Sequence, residues 1–297
     1  MKQKYVPTRA TTPAIVSARR FLYKLGGSSQ PCIIEGSDDR FYVVKFYRHS
    51  GERSLMNEVV GHALIRRLGL PCPDWTPIKV SNDFIDRHPG VWFFSENAPS
   101  KPCAGFHFAS RLIDAPGEQR TYQMIPHRWI DRIVNRADFL GMLVLDLWAN
   151  SCDRRQAIYL LGERGFLCAS FIDNDSMFGG RFGSETTCPR RAMVYDLDIY
   201  RGLRDWRAVK EWFGKIDAID EDDIREMLAS VPDEWSDGEM RRDIMSQLMS
   251  RREVLPQLLN DAENVVKYGY SLKYHRARNA TEPSRLCTTS VFAARQW

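Results

Sequence analysis

Two acidic loops stand out by residue type and spacing. Asp153 lies in "LDLWANSCDRRQAIYL" (145–160), just past an apolar, helix-like run, and Asp173 lies in "FIDNDSMFGG", where an apolar strand pattern runs into carboxylates and glycines. One carboxylate on a loop before a β-hairpin and another just after it suit phosphoryl transfer: one orients an attacking hydroxyl, the other holds a magnesium ion that bridges phosphates. Two unrelated capping aspartates are the plainer reading of the same pair. Upstream, Lys45 sits in "VVKF" and Glu58 follows in a helix-like segment. A strand lysine oriented by a helix glutamate can aim its ammonium at nucleotide phosphates, while a lone lysine on a solvated strand face is equally common. Further upstream, Gly26 and Gly27 in "YKLGGSSQP" would let backbone N–H groups approach an anion, with Ser28 and Ser29 adding hydroxyl donors. A hairpin turn needing φ > 0 explains these glycines without any ligand, and neither a GxGxxG nor a P-loop pattern is present. The ordered set of Gly-rich turn, Lys, Glu, Asp and Asp weighs against coincidence.

The elements that must position these residues follow from periodicity. "YVVKFY" (42–47) alternates and carries β-branched and aromatic types, and with "GSDDR" (36–40) and "CIIE" (32–35) it predicts a hairpin. "AIVSARRFL" before the glycines is β-like. "ERSLMNEVVGHALIRRLGLP" places Leu55, Val59, Leu64 and Leu68 on one helical stripe ended by Gly69 and Pro71. "TPIKV", "GVWFF" and "GFHFASRLI" predict further strands. From Met124 onward the pattern turns helical, with "RADFLGMLVLDLWAN" (136–150) apolar enough to be buried. At least three amphipathic helices follow the acidic loops. The expectation is an α+β fold with a strand-rich first lobe, a helical second lobe and a cleft between them.

Composition bounds the function classes. The 297 residues suffice for one large domain or two lobes. With 43% hydrophobic and 27% charged residues the chain is globular, and its net charge of +4 says little for nucleic acid, whose binders concentrate basic residues on one face. No apolar run approaches the ~18–20 residues a membrane span needs, and "MKQKYVPTRATT" lacks the apolar core of a signal peptide. The 7 cysteines are odd in number and form no CxxC pair. That disfavours zinc and a disulfide framework and points to a reducing, cytoplasmic setting.

The order "LGGSSQP … VVKF … NEVVGHALIRRLGLP … DLWANSCDRRQAIY … FIDND-MFGG … VPDEW" resembles the HipA-like kinases, compact bacterial relatives of the HipA serine/threonine kinases. The resemblance spans roughly residues 12–265 and is most specific at Asn150-x-x-Asp153-Arg154-Arg155-Gln156 with Asp173 after a strand. It implies a two-lobed protein-kinase-like fold, with an N-terminal segment (1–11), a nucleotide-binding N-lobe (12–113), a C-lobe (114–272) and a polar basic tail (273–297). It implies ATP and Mg2+ as cofactors and a protein serine or threonine as the substrate. It also implies roles. Lys45 would contact the α- and β-phosphates, with Glu58 positioning it. Asp153 would be the catalytic-loop aspartate and Asp173 the metal ligand, while "GFHFASR" (105–111) would take the place of the adenine-binding hinge.

Two departures qualify this expectation. Such kinases place an asparagine five residues after the catalytic aspartate as a second magnesium ligand, where this chain has Ile158; Gln156 is the nearest amide that could substitute. Asp173 is followed by Asn174 and Asp175 instead of completing a DFG, and Asp175 could supply a replacement oxygen. A catalytically impaired pseudokinase acting as a nucleotide-dependent binding module is therefore the alternative, and a lipid or small-molecule kinase would use the same site. His62 is expected to be a surface or packing residue, and Trp148 a core residue. The arginines at 241, 242, 251 and 252 are expected on solvated helix faces. Cys152, beside Asp153 and two arginines, has no histidine partner near it in sequence for a nucleophilic role.

Overall fold

Val16–Lys24 (β1), Cys32–Gly36 (β2) and Phe41–Lys45 (β3) form an antiparallel meander, in which Cys32 pairs with Val44 and Glu35 with Phe41. The structure is a computed structural model that describes residues 15–47, 53–94, 98–114, 120–180, 197–200, 203 and 207–279. Trp75–Val80 (β4) and Gly105–Arg111 (β5) complete a closed five-stranded barrel in the order β1-β2-β3-β5-β4, shut by a short parallel pairing of Val16 with Ile78 and Ser17 with Lys79. Its interior is filled by Ile34, Val44, Phe46, Ile78, Val80 and Ala109, with Phe84 and Ile85 from the short helix Asn82–Arg87 (α2). Closure removes exposed strand edges.

Ser54–Arg67 (α1) is inserted between β3 and β4. It ends where Gly69, at φ 75°, donates its N–H to Arg66 O and Leu70 donates to Ile65 O, a Schellman arrangement that glycine permits at low cost. The predicted stripe of Leu55, Val59, Leu64 and Leu68 is buried. The opposite face is buried too, including Asn57, Glu58 and His62, because α1 lies against both halves of the molecule. Its apolar residues join Phe108 of β5 and the helical half in one continuous core.

That core is centred on Asp138–Trp148 (α3), in which every residue from Phe139 to Trp148 is buried. Trp148 is core, as expected, and its indole N–H donates to Leu248 O at 2.8 Å. Thr121–Tyr122 (β6), Gln156–Leu161 (β7) and Leu167–Ile172 (β8) form a second, antiparallel sheet in the order β6-β7-β8. The β7–β8 hairpin separates the two acidic loops, with Gln156 opposite Ile172. Arg207–Asp217 (α4), Glu221–Ala229 (α5) and Gly238–Asn279 (α6) pack around α3 and α1.

Several sequence expectations need correction. "GVWFF" is not a strand: residues 89–91 form a 3-10 turn, and only Phe93 bridges, to Ser100. Residues 105–111 are not a hinge but a strand inside the barrel: β4 pairs with 105–110 and β3 with 108–111, and the Phe106 backbone bonds Glu234 and Trp235. The connection out of the barrel starts at Leu112, whose N–H donates to Phe41 O. Three of the four flagged arginines serve buried carbonyls rather than solvent. Arg251 donates to Leu147 O and Trp148 O at the end of α3, Arg252 to Ile219 O, and Arg241 to Val231 O. The expected segment 1–11 and residues 280–297 of the expected tail lie outside the described residues, while 273–279 continue α6.

His107 on β5 shows how the barrel tolerates a buried imidazole. Nδ1 accepts from Tyr47 N–H and Nε2 faces Cys103 O, both at 2.9 Å, which satisfies a neutral ring. Burial lowers its pKa to about 4, against the opposing carbonyl bond. Unfolding restores a pKa near 6.5, so this stability is fully present above about pH 6.5 and is lost as pH falls toward 4. Urea unfolding from pH 7.5 to 4 should show an acid-side loss on the order of 3 kcal/mol from this residue. His107→Gln should remove that share of the limb, leaving the share of buried His62, whose pKa burial also lowers to about 4.

Candidate active site

Lys45 is the last residue of β3, and its side chain is only 12% exposed. Its ammonium donates to Glu58 of α1 and, at 2.5 Å, to Asp173 Oδ1 beyond β8, and Asp175 Oδ2 lies 3.7 Å away. The solvated-face reading of Lys45 does not hold. Burial works against the ammonium, but the charges of Glu58, Asp173 and Asp175 more than offset it and raise the Lys45 pKa. Glu58 is raised as well, by burial first, against the pull of Lys45, with Asp173 and Asp175 pushing the same way. Three carboxylates against one ammonium leave an excess of negative charge.

Oxygens of Glu58, Asp173 and Asp175 all lie within 4.8 Å of one another, a group that could hold a metal ion. A hard, all-oxygen donor set of this kind fits Mg2+ or Mn2+. Gln156, at the start of β7, donates its amide N–H to Asp173 Oδ2. Ile158 lies two residues along the same strand face, half-buried, so Gln156 and not residue 158 reaches the acidic group. Asp173 adopts φ 66°, a left-handed conformation that aspartate tolerates better than most residues, and this turns its carboxylate back toward Lys45.

Asp153 is exposed and stands apart from this cluster, with Oδ1 accepting from Arg154 N–H at 2.6 Å. Its loop is nevertheless fixed to the acidic loop. Cys152 N–H donates to Ser176 O, Phe178 N–H to Ala149 O and Gly179 N–H to Asn150 O, at 2.8, 2.7 and 3.1 Å. Asn57 ties the same loop to α1 by donating to Asp175 O and Met177 O. Gly26, Gly27, Ser28 and Ser29 form the β1–β2 turn, at the Lys45 end of the barrel by register, with Gly27 at φ 105°. The turn is anchored by Gln30, which exchanges hydrogen bonds with the backbone of Phe94.

Sequence reasoning missed the groups that hold this geometry. Arg155 is fully buried and pairs with Asp146 of α3 at 2.5 and 3.2 Å. Its Nη1 donates to Ile172 O, Asp173 O and Asn174 Oδ1 at 3.0, 3.0 and 2.7 Å. The available signal was an aspartate inside the apolar run "LVLDLW", since a charge on a buried helix needs a cationic partner. His62 was expected at the surface or in packing; it is 1% exposed and hydrogen-bonded to Asn174. Cys152 is disulfide-bonded, contrary to the expectation of reduced thiols, whereas Cys32, Cys72, Cys103 and Cys168 are free.

A closed barrel carrying a lysine–glutamate pair, joined through its helix to a helical lobe with two laced acidic loops, defines a kinase-type protein. The profile of the HipA-like kinases matches residues 22–264. The chain belongs to the HipA-like kinase family. Among solved structures it is similar to the Helicobacter pylori proinflammatory kinase CtkA, with a TM-score of 0.53 and 10% identity over 84% of this chain and 97% of that one. It is also similar to HipA of Shewanella oneidensis MR-1, solved with HipB and operator DNA, with a TM-score of 0.50 and 12% identity over 88% of this chain and 68% of that one. Likeness at such identities is one of fold. No curated protein matches the chain in sequence.

The Arg155–Asp146 pair yields a stability prediction. Arg155→Met leaves Asp146 buried without a counter-charge and should cost about 3–5 kcal/mol in urea unfolding. The double change Asp146→Leu with Arg155→Met removes both charges and should recover the part of that loss due to the unpaired Asp146, while Ile172 O, Asp173 O and Asn174 Oδ1 stay without their Arg155 donor.

Proposed function

We propose that the protein is an ATP-dependent kinase that transfers the γ-phosphoryl group of Mg–ATP to a protein serine or threonine. The observation that carries this reading is the Lys45 ammonium, delivered from the first lobe into the carboxylates of Glu58, Asp173 and Asp175. With nucleotide present, Lys45 would exchange Asp173 for phosphate oxygens while Glu58 keeps it aimed. Asp173 and Asp175 would hold a divalent cation, with Gln156 steering the Asp173 carboxylate; the cation's contribution is to bridge and neutralise phosphate charge. Asp153, exposed on its loop, would accept the proton of the attacking hydroxyl. Most of the rate would come from positioning and charge stabilisation.

Gln156 on Asp173 supports turnover without the missing asparagine. Ile158 favours the second reading, a pseudokinase that binds nucleotide without turnover, because isoleucine offers no ligand atom. No helix among the described residues is long and apolar enough to cross a membrane, and the family expectation of a cytoplasmic protein is part of this proposal.

Transfer of labelled γ-phosphate to the chain itself and to lysate proteins tests the kinase reading. Asp153→Asn should lower transfer about 10²–10⁴-fold while ATP affinity by calorimetry changes little, since Asp153 acts in the transition state. Lys45→Ala should weaken ATP binding about 10- to 100-fold, the loss of a charge-assisted contact. Asp173→Asn should remove the magnesium dependence of binding. ATP binding by wild type without transfer to any acceptor would establish the pseudokinase, and no nucleotide binding would reject both.

A further inference from the structure

Asn174 stands between the two aspartates of the acidic loop and is itself 0% exposed. Each of its polar groups is used. The backbone N–H donates to Glu58 Oε1 at 3.1 Å, Oδ1 accepts from Arg155 Nη1 at 2.7 Å, and Nδ2 meets His62 Nδ1 at 3.0 Å. Arginine can only donate, so its bond to Oδ1 fixes the amide orientation, and Nδ2 must be the donor toward His62. His62 Nδ1 is then an acceptor and the ring proton sits on Nε2. Glu58 O lies 3.0 Å from the same nitrogen, and this tautomer leaves the buried Nε2–H without a partner among the described residues, so the Asn174 contact is made at the expense of that donor.

The helix comes this close only because residue 61 is glycine. A Cβ at Gly61 would stand 2.5 Å from Asn174 Cβ and 2.8 Å from its Cγ. Asn174 is thus held by α1 on one side and, through Arg155, by Asp146 of α3 on the other. Asp173 and Asp175 are its two chain neighbours, and Glu58 is its hydrogen-bond partner.

We infer that Asn174 is a positioning residue that sets the spacing of the Glu58, Asp173 and Asp175 carboxylates for a divalent cation, with His62 and Gly61 as its seat on α1. The inference rests on the kinase reading above and names the residue that couples the first lobe to the metal-binding loop. The Asn174 amide is spent on Arg155 and His62, so it acts through the three carboxylates.

Mn2+ binding to the full chain, followed by electron paramagnetic resonance with ATP affinity measured in parallel, tests this. Asn174→Ala should weaken Mn2+ about 10- to 100-fold, as loss of an outer-sphere partner does, with ATP affinity recovering at saturating Mn2+. Gly61→Ala, which favours the helix by intrinsic propensity but displaces Asn174, should produce the same weakening. Thermal melting without metal checks the fold; if Asn174→Ala does not fold, Gly61→Ala decides. Wild-type Mn2+ affinity in either folded variant overturns the inference alone. Failure of the wild-type chain to bind Mn2+ overturns it together with the kinase reading.

Discussion

Lys45 carries its charge where water is almost entirely excluded, and a charge in such a place is tolerable only with carboxylates in contact. One of those carboxylates comes from α1, and two come from a loop more than a hundred residues away in sequence. The cluster therefore exists only when both halves of the molecule are brought together. It also carries more negative than positive charge, which ordinary packing would not favour and which a divalent cation would offset. Buried ionic groups of this sort add little to stability by themselves; the surrounding apolar core supplies the stability.

Helix α1 is what lets the two halves share one core. It is covalently part of the barrel lobe, yet Leu55, Met56, Val59, Val60, Leu64 and Ile65 belong to the core built around α3. A helix wrapped on all sides cannot slide or rotate cheaply, because interiors are close-packed. Glu58 is consequently held at a fixed depth, and Asn57 and Asn174 transmit that depth to the acidic loop. On the other side, Arg155 fixes the backbone of Ile172 and Asp173 against Asp146. Three of the six described non-glycine residues with positive φ lie at this junction: Asn150, Asp173 and Phe178. Phe178 is the costly one, since a bulky side chain in the left-handed region is disfavoured by about 1–2 kcal/mol, and its burial within the core holds it there.

Local chemistry was legible where local rules govern. The strands flanking Lys45, the helix carrying Glu58 with its glycine stop, the buried α3 and the β7–β8 hairpin all follow from periodicity and turn residues. Where tertiary contacts override local preference, the sequence misled. "GVWFF" has the composition of a strand but among the described residues finds only one bridge, whereas "GFHFASRLI" is the strand its composition predicts and only the hinge role implied by the resemblance fails, because the segment pairs within the barrel. Arg251 and Arg252 fall on an amphipathic pattern, but carbonyls at the end of α3 and after α4 need donors that only neighbouring helices can bring.

The sequence by itself determined which residue types are available for phosphoryl chemistry, their order along the chain and the elements that bear them. It also held the resemblance that names the family, because motif order survives in a linear string. Only the tertiary structure decided that Lys45 faces inward, that Gln156 and not residue 158 reaches Asp173, and that Asp175 joins the acidic group while Asp153 stands outside it. It alone revealed Asn174, His62, Arg155 and Asp146 as one hydrogen-bonded support. The physical reason is that hydrogen bonds and ion pairs act over a few ångströms in space, whatever the separation along the chain. A buried asparagine or aspartate acquires its role from partners that only the fold places beside it.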